Sequence, residues 1–276
     1  MFVEKTDSTN TLMREMLAKG EWPKNESFLR AGFQTAGRGQ TGNKWESEAG
    51  KNLLCSILLE PDDEPFYLTV AVSVALHRVV AEIIEEEGRN SPNEIVSMFA
   101  NDFYGIASHR LTIKWPNDLY YEGHKLAGVL MESAICGNKM DYAIAGIGLN
   151  VNQTRWRSAP NPISLKSACK SSLCVEKDFD IDLLMEKLYK EVRTVLQLPR
   201  RGIWEYYKRH LFRGADGPWP FVERTVNMAP TMDAPKGTKG AFKAWIVDVK
   251  PDGRLVLQDE NGEMRFFHFK QIRYVL

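Results

Sequence analysis

Asn52 to Glu60 is a run dominated by Leu53, Leu54, Ile57, Leu58 and Leu59, the pattern of a strand buried on both faces. After a turn at Pro61–Pro65 comes Thr69 to Glu87, with Val70, Val74, Val79, Val80, Ile83 and Ile84 at helical spacing. A buried strand followed at once by a long apolar-faced helix forces a layered fold, with helix packed on sheet. The rest of the chain supplies both layers. Met1–Lys5, Phe28–Gln34, Leu111–Trp115, Lys125–Glu132 and Tyr142–Val151 read as strands. Asp7-Ser8-Thr9-Asn10 is rich in capping side chains and opens a helix over 9–19, ended by Gly20. Asn161–Lys170, a helix capped by Asp180, and Ile203–Phe212 complete the helical set. His77 in the long helix reads as a surface or partly packed residue rather than a catalytic one. Asn90–Ser108 has no periodicity and reads as an insertion, with a short helix at Ile95–Phe103.

At Gly214–Pro220 two glycines and two prolines make a linker, and the pattern then changes. Short strands follow at 221–227, 240–249, 254–258, 264–269 and 272–275, with tight turns at Pro251-Asp252-Gly253 and Glu260-Asn261-Gly262. The expected fold is therefore α+β: a mixed β-sheet with flanking helices over 1–220, and a small all-β module over 221–276. At about 55 residues that module has a marginal core and is expected to dock on the larger unit.

Composition excludes some functions. The 36 basic and 36 acidic residues cancel, so no bulk attraction to nucleic acid or an anionic membrane is expected. Cys55, Cys136, Cys169 and Cys174 form no C-x-x-C pair, and five histidines form no H-E-x-x-H, which argues against a protein-built zinc site. The scattered cysteines read as reduced thiols of a cytoplasmic protein. Charged Glu4, Lys5 and Asp7 leave no room for a signal peptide's apolar region, and no uninterrupted apolar run nears the ~20 residues that span a bilayer.

The polar residues that interrupt this apolar framework are the candidates for chemistry. Between the strands ending at Gln34 and beginning at Asn52 lies a connection of roughly 17 residues, longer than ordinary loops and of the kind that carries function. It contains Gly37-Arg38-Gly39-Gln40-Thr41-Gly42-Asn43-Lys44-Trp45. Three glycines allow close backbone approach to a ligand, and Arg38 and Lys44 suit an anion. The spacing is neither the dinucleotide fingerprint nor the P-loop. Lys114 with Asn117 and Asp118, Lys125, and Asn150 with Asn152 add cations, amides and one carboxylate at strand ends. Gly128, Gly146 and Gly148 mark places where another backbone or a ligand comes close. There is no recognisable nucleophile–base pair. The set favours catalysis by positioning and charge stabilisation, as in nucleotidyl or acyl-phosphate chemistry, with Asp118 a candidate ligand for a metal or a ribose.

In order along the chain, Asp7-Ser8-Thr9-Asn10, Gln34 through Trp45, Lys114-Trp115-Pro116-Asn117-Asp118, Lys125-Leu126-Ala127-Gly128-Val129-Leu130 and Gly146 through Asn152 resemble the biotin–protein ligases. The likeness is to the short kind that lacks an N-terminal DNA-binding domain. It implies a fold like that of the class II aminoacyl-tRNA synthetases and a C-terminal SH3-like β-barrel. It also implies a two-step reaction in the cytoplasm: biotin and ATP, with Mg²⁺, give biotinyl-5′-AMP, and the biotinyl group passes to a lysine of a biotin carboxyl carrier protein. Arg38 and Lys125 then bear on the reacting carboxylate and phosphate as catalytic residues. Ser8, Thr9, Asn10, Gln34, Gly37, Arg38, Gly39, Trp45, Lys125 and Gly128 would form the biotin site. Arg38, Gln40, Trp45, Asn117, Asn150 and Asn152 would hold the adenylate, with Asp118 near it or the magnesium. No DNA or membrane partner is implied, and a homodimer is left open.

One departure stands out. Relatives often carry arginine where this chain has Gln40 and Asn43, so Arg38 and Lys44 are the only cations of its glycine loop. The alternative reading is a lipoate–protein ligase, which shares fold, ATP and acyl-adenylate chemistry but has less use for the polar trio Ser8, Thr9 and Gln34. A binding protein that keeps only the fold is the reading from another class.

Overall fold

A computed structural model describes the chain except residues 26, 41–42, 63, 90–109, 137–138, 170–176, 215–224, 235–239 and 276. In chain order its elements are β1 (Phe2–Thr6), α1 (Thr9–Lys19), β2 (Phe28–Gln34), β3 (Asn52–Leu59), α2 (Pro65–Arg89), β4 (Leu111–Lys114), β5 (Asp118–Tyr121), β6 (His124–Cys136) and β7 (Lys139–Asn150). Then come α3 (Leu165–Ala168), α4 (Ile181–Gln197), α5 (Arg200–Arg209), β8 (Thr225–Pro230), β9 (Phe242–Val249), β10 (Leu255–Asp259), β11 (Met264–Phe267) and β12 (Ile272–Tyr274).

Seven strands form one mixed sheet in the order β1-β2-β3-β7-β6-β5-β4, parallel between β1 and β2 and antiparallel elsewhere. Strand alternation decides what each face carries. Leu53, Cys55, Ile57 and Leu59 of β3, with Ala143, Ala145, Ile147 and Leu149 of β7, join the main core that includes α2 and α4. On the opposite face, Leu29 and Ile144 pack with Met13 of α1 in a smaller cluster. By length and hydropathy α2 could cross a membrane, but 78% of that window is buried within the fold. Its apolar surface is committed to the core.

Three local expectations change. The helix expected over 161–170 is a single turn, α3, capped where Ser164 Oγ accepts from Ser167 N at 3.2 Å. Asp118 does not merely end a strand but begins β5, because the turn at 115–117 returns the chain into a hairpin that pairs Lys114 with Asp118. His77 is fully buried, its ring nitrogens on the Tyr206 hydroxyl at 3.0 Å and the Leu111 carbonyl at 3.1 Å. The insertion at 90–108 and nearly all of the linker fall outside the described residues, as does the boundary at 220/221.

The C-terminal strands do not close into the SH3-like barrel that the resemblance implied. They form an open five-stranded antiparallel sheet in the order β11-β10-β9-β8-β12. Closure needs the first and last strands to pair with a consistent stagger. Here β11 pairs with β10 and three-residue β12 pairs with β8, so the two edges do not meet. The sheet is docked by other means. Trp115 Nε1 donates to the Gly253 carbonyl at 3.1 Å, and its ring meets Phe269 edge-on at 5.9 Å. Lys208 pairs with Asp248 at 2.6 Å, and Val226, Ile246 and Leu257 belong to the same core as α2.

Candidate active site

The face of the sheet that carries α1 is bare in its middle. Gly128 of β6 lies in register with Gly148 of β7, flanked by Asp118 on β5 and Leu54 on β3. The row therefore has almost no side chains over its centre, and a cleft of about 300 Å³ opens above it. At Gly146 and Gly148 an added side chain would collide with its neighbours. A Cβ on Gly148 would stand 2.5 Å from Trp45 Cε2, and one on Gly146 would stand 2.4 Å from Asn10 Oδ1. The expectation at glycines 128, 146 and 148 is close approach of a backbone or a ligand; what approaches them here is side chains, of Asp118 and Lys125, of Asn10 and of Trp45 respectively.

One end of the cleft is built by the start of α1. Ser8 is the buried N-cap, yet its side chain makes no capping bond. The free helix terminus is served instead by Gln34, whose Oε1 accepts from Thr9 N at 2.7 Å and from Thr9 Oγ1 at 3.1 Å. That fixes the Gln34 amide at the wall, with Nε2 close to Gly37. Asn10 is occupied on both sides: it accepts from Ser56 Oγ at 2.6 Å and donates to Glu132 Oε2 at 2.8 Å and to the Leu130 carbonyl at 3.3 Å.

The two described legs of the glycine loop, 37–40 and 43–45, run side by side above the floor. Arg38 bridges Lys44, Gly39 N bonds the Asn43 carbonyl at 2.7 Å, and Trp45 N bonds the Gly37 carbonyl at 2.9 Å. The Arg38 guanidinium is turned to Glu132 and Thr11, both at 3.1 Å. Trp45 lies on Gly148, with its indole N–H buried and without a hydrogen-bond partner among the described residues.

The other end is charged. Lys125 Nζ donates to Asp118 Oδ2 at 2.7 Å and lies 5.7 Å from the Trp45 ring. Its backbone is held apart from this duty, donating to the Asn161 carbonyl and accepting from Ile163 N. Lys114 Nζ sits between the rings of Tyr120 and Tyr274, at 4.7 and 4.9 Å, and burial pushes its pKa below the usual lysine range despite Asp118 nearby. Of the lining residues described, five are cations (Arg38, Lys44, Lys114, Lys125 and Arg273) and one, Asp118, is a carboxylate. Among the described residues no histidine lines the cleft, and burial raises the Cys55 thiol to about 12, so neither residue type offers a nucleophile or base there.

Most residues singled out from sequence therefore meet here: Ser8, Thr9, Asn10, Gln34, Arg38, Gly39, Gln40, Trp45, Asn117, Asp118, Lys125 and Gly128 all line the cleft. Gly37 faces the Trp45 backbone across the loop, its carbonyl accepting from Trp45 N at 2.9 Å. Asn150 and Asn152 do not line it. Asn150 donates to the Ile163 carbonyl at 2.9 Å and holds the segment behind Lys125. Asn152 brackets Phe179, donating to its carbonyl at 2.9 Å and accepting from its N–H at 2.8 Å. Asn117 is buried and gives its amide to the Val129 carbonyl. Sequence reasoning missed Glu132, which accepts from Asn10 and Arg38 behind the lining, and the wall supplied by Phe269, Arg273 and Tyr274 from the C-terminal region. Nothing in their local spacing distinguishes them: Glu132 is placed by β6, and the other three reach the cleft because the C-terminal sheet docks there.

The sequence profile of the biotin/lipoate A/B protein ligase family matches residues 2–150. The bifunctional ligase/repressor BirA of Bacillus spizizenii is 30% identical over 250 residues, 87% of this chain and 64% of that protein. The biotin–[acetyl-CoA-carboxylase] ligase of Mycobacterium tuberculosis is 29% identical over 167 residues, 59% of this chain and 53% of that one. The chain thus spans roughly half to two-thirds of the length of such curated relatives. Among solved structures, the Aquifex aeolicus biotin protein ligase in complex with biotin and ATP superposes with a TM-score of 0.61 at 22% identity, covering 100% of this chain and 98% of that one.

Proposed function

The chain belongs to the biotin/lipoate A/B protein ligase family, and from that premise we propose that it is an ATP-dependent biotin–protein ligase. In the first step a biotin carboxylate oxygen attacks the α-phosphorus of ATP, forming biotinyl-5′-AMP and expelling pyrophosphate. In the second, the ε-amine of a lysine on a biotin carboxyl carrier protein attacks the acyl carbon, AMP leaves and the amine loses a proton.

The observation that carries this reading is the polarity of the cleft. A Ser8 hydroxyl that makes no capping bond and a fixed Gln34 amide stand at one end, Lys114 and Lys125 at the other, and the Gly128–Gly148 floor runs between. A ligand with a polar ring, an apolar tail and an anionic reacting end fits that gradient. A lipoyl tail leaves the Ser8–Gln34 end without a partner. Both steps place negative charge on acyl and phosphoryl oxygens. Preorganised cations in a partly dry cleft stabilise such charge with little reorganisation. Lys125 is the best placed, because its ammonium faces the cleft while its backbone is anchored elsewhere. Arg38 would exchange Glu132 for a substrate oxygen.

Magnesium fits only a minor protein share. Asp118 is the one carboxylate among the described lining residues, and Lys125 already neutralises it. It would give at most one ligand to an ion held mainly by the ATP phosphates, whose charge that ion would offset. The test is pyrophosphate release by the full chain with ATP and magnesium. Release that requires biotin supports the proposal. Release with lipoate but not biotin, or with neither acid, contradicts it.

A further inference from the structure

Immediately after Trp45, the carboxylate of Glu46 is seated in a nest of donors from a distant segment. Oε1 accepts from Arg157 N at 2.6 Å. Oε2 accepts from Ser158 N at 2.8 Å, Ser158 Oγ at 2.7 Å and Ala159 N at 2.9 Å. Four charge-assisted bonds on one surface carboxylate are far more than solvation of a loop requires. The Ser158 hydroxyl and these backbone N–H groups hold its pKa at about 2 against partial desolvation, so the group is charged at any working pH. The next residues continue the seam: Glu48 N donates to Gln153 Oε1 at 2.9 Å, and Asn52 Nδ2 shares that oxygen at 2.5 Å.

We propose that Glu46 is a positioning residue for the ligase reaction: its clamp on 157–159 fixes the descending leg of the glycine loop and so holds the Trp45 indole on Gly148 as a preformed wall of the cleft. The geometry explains why such a clamp is needed. Trp45 itself is held by one backbone bond to Gly37 and by contact with a glycine floor, and its indole N–H has no partner among the described residues. Among the described residues its ring has, beyond that floor, only the Lys125 ammonium at 5.7 Å and no hydrogen bond to fix it. With Glu46 anchored, the adjoining backbone is ordered before any ligand arrives, and binding is spared that entropy. A contribution of this kind acts equally on bound substrate and transition state, so it appears in KM and not in kcat.

The kinetic arm of the test rests on the ligase reading, whereas the proteolytic arm does not. Glu46→Gln keeps the length of the side chain but places an NH2 group against N–H donors and removes the charge. Ser158→Ala deletes one donor of the four. In the ligand-free full chain, E46Q is expected to be cut by trypsin after Lys44 several-fold faster than the parent, with S158A intermediate. The KM for biotin and ATP is expected to rise roughly tenfold in E46Q with kcat within about twofold and thermal stability nearly unchanged. Parental cleavage and KM in E46Q would overturn the proposal. So would a loss of kcat that follows a loss of stability, which is the signature of a merely structural contact. If the parent itself releases no pyrophosphate with biotin, the ligase reading fails, and cleavage after Lys44 still decides the clamp.

Discussion

Lys125→Ala separates chemistry from folding. The pair it breaks is 2.7 Å long, between side chains that are 28% and 29% exposed. At that distance the Coulomb attraction is about 1.5 kcal/mol in a water-like dielectric, and ordering two side chains leaves roughly 1 kcal/mol or less of net stability. The backbone bonds of Lys125 to Asn161 and Ile163 survive truncation, so β6 keeps its neighbour. The melting temperature should fall by no more than about 4 °C. Loss of a donor aimed at developing charge costs far more, about 2.7–4 kcal/mol of activation free energy or 10²–10³ in rate. The assay is biotin-dependent pyrophosphate release at saturating ATP, beside a thermal melt of the same sample. A folded K125A protein that retains a third or more of the parental rate refutes the assignment.

Three further outcomes follow from the geometry. Gly148→Ala puts a methyl carbon 2.5 Å from the Trp45 ring, which must lift; biotin affinity by titration calorimetry should drop at least about tenfold, with an overpacking cost of roughly 1–3 kcal/mol, and unchanged affinity would show that Trp45 is no wall. Asn152→Ala strands the Phe179 N–H and carbonyl, so chemical denaturation should show a loss of about 1–3 kcal/mol while the KM for ATP stays within about twofold; a large rise in KM would return Asn152 to the adenylate site. His77 is buried and neutral, and desolvation, reinforced by His210, pushes its pKa down to about 3. Because the unfolded chain binds that proton near pH 6.5, the stability due to His77 is complete above that pH. It is lost as pH falls toward 3, at up to about 1.4 kcal/mol per unit. His77→Gln should flatten the decline between pH 6 and 4, and equal slopes in parent and variant would exclude it.

Much of this was legible from local pattern. Strand alternation in β3 and β7 and the spacing of α2 set the layers, and the capping run at Asp7–Asn10 located α1. The glycines at 146 and 148 announced close approaches that proved to be Asn10 and Trp45. What escaped reading is tertiary. Glu46 and Ser158 are over a hundred positions apart, and only the fold makes them partners. Arg273 and Tyr274 reach the cleft because the C-terminal sheet docks through Trp115 and Phe269. Helical spacing alone reads His77 as a surface or partly packed residue, since it does not show that Tyr206 and the Leu111 carbonyl satisfy both ring nitrogens. The barrel was inferred from resemblance, and strand pairing, which sequence pattern does not specify, leaves the sheet open.

The most direct test of the central claim is a crystal structure of the full chain grown with biotin, ATP and magnesium. The account predicts a biotinyl-adenylate along the Gly128–Gly148 floor, its ring at Ser8 and Gln34 and its acyl-phosphate oxygens within hydrogen-bond distance of Lys125 Nζ. A ligand bound in the reverse direction, or away from this floor, would contradict it.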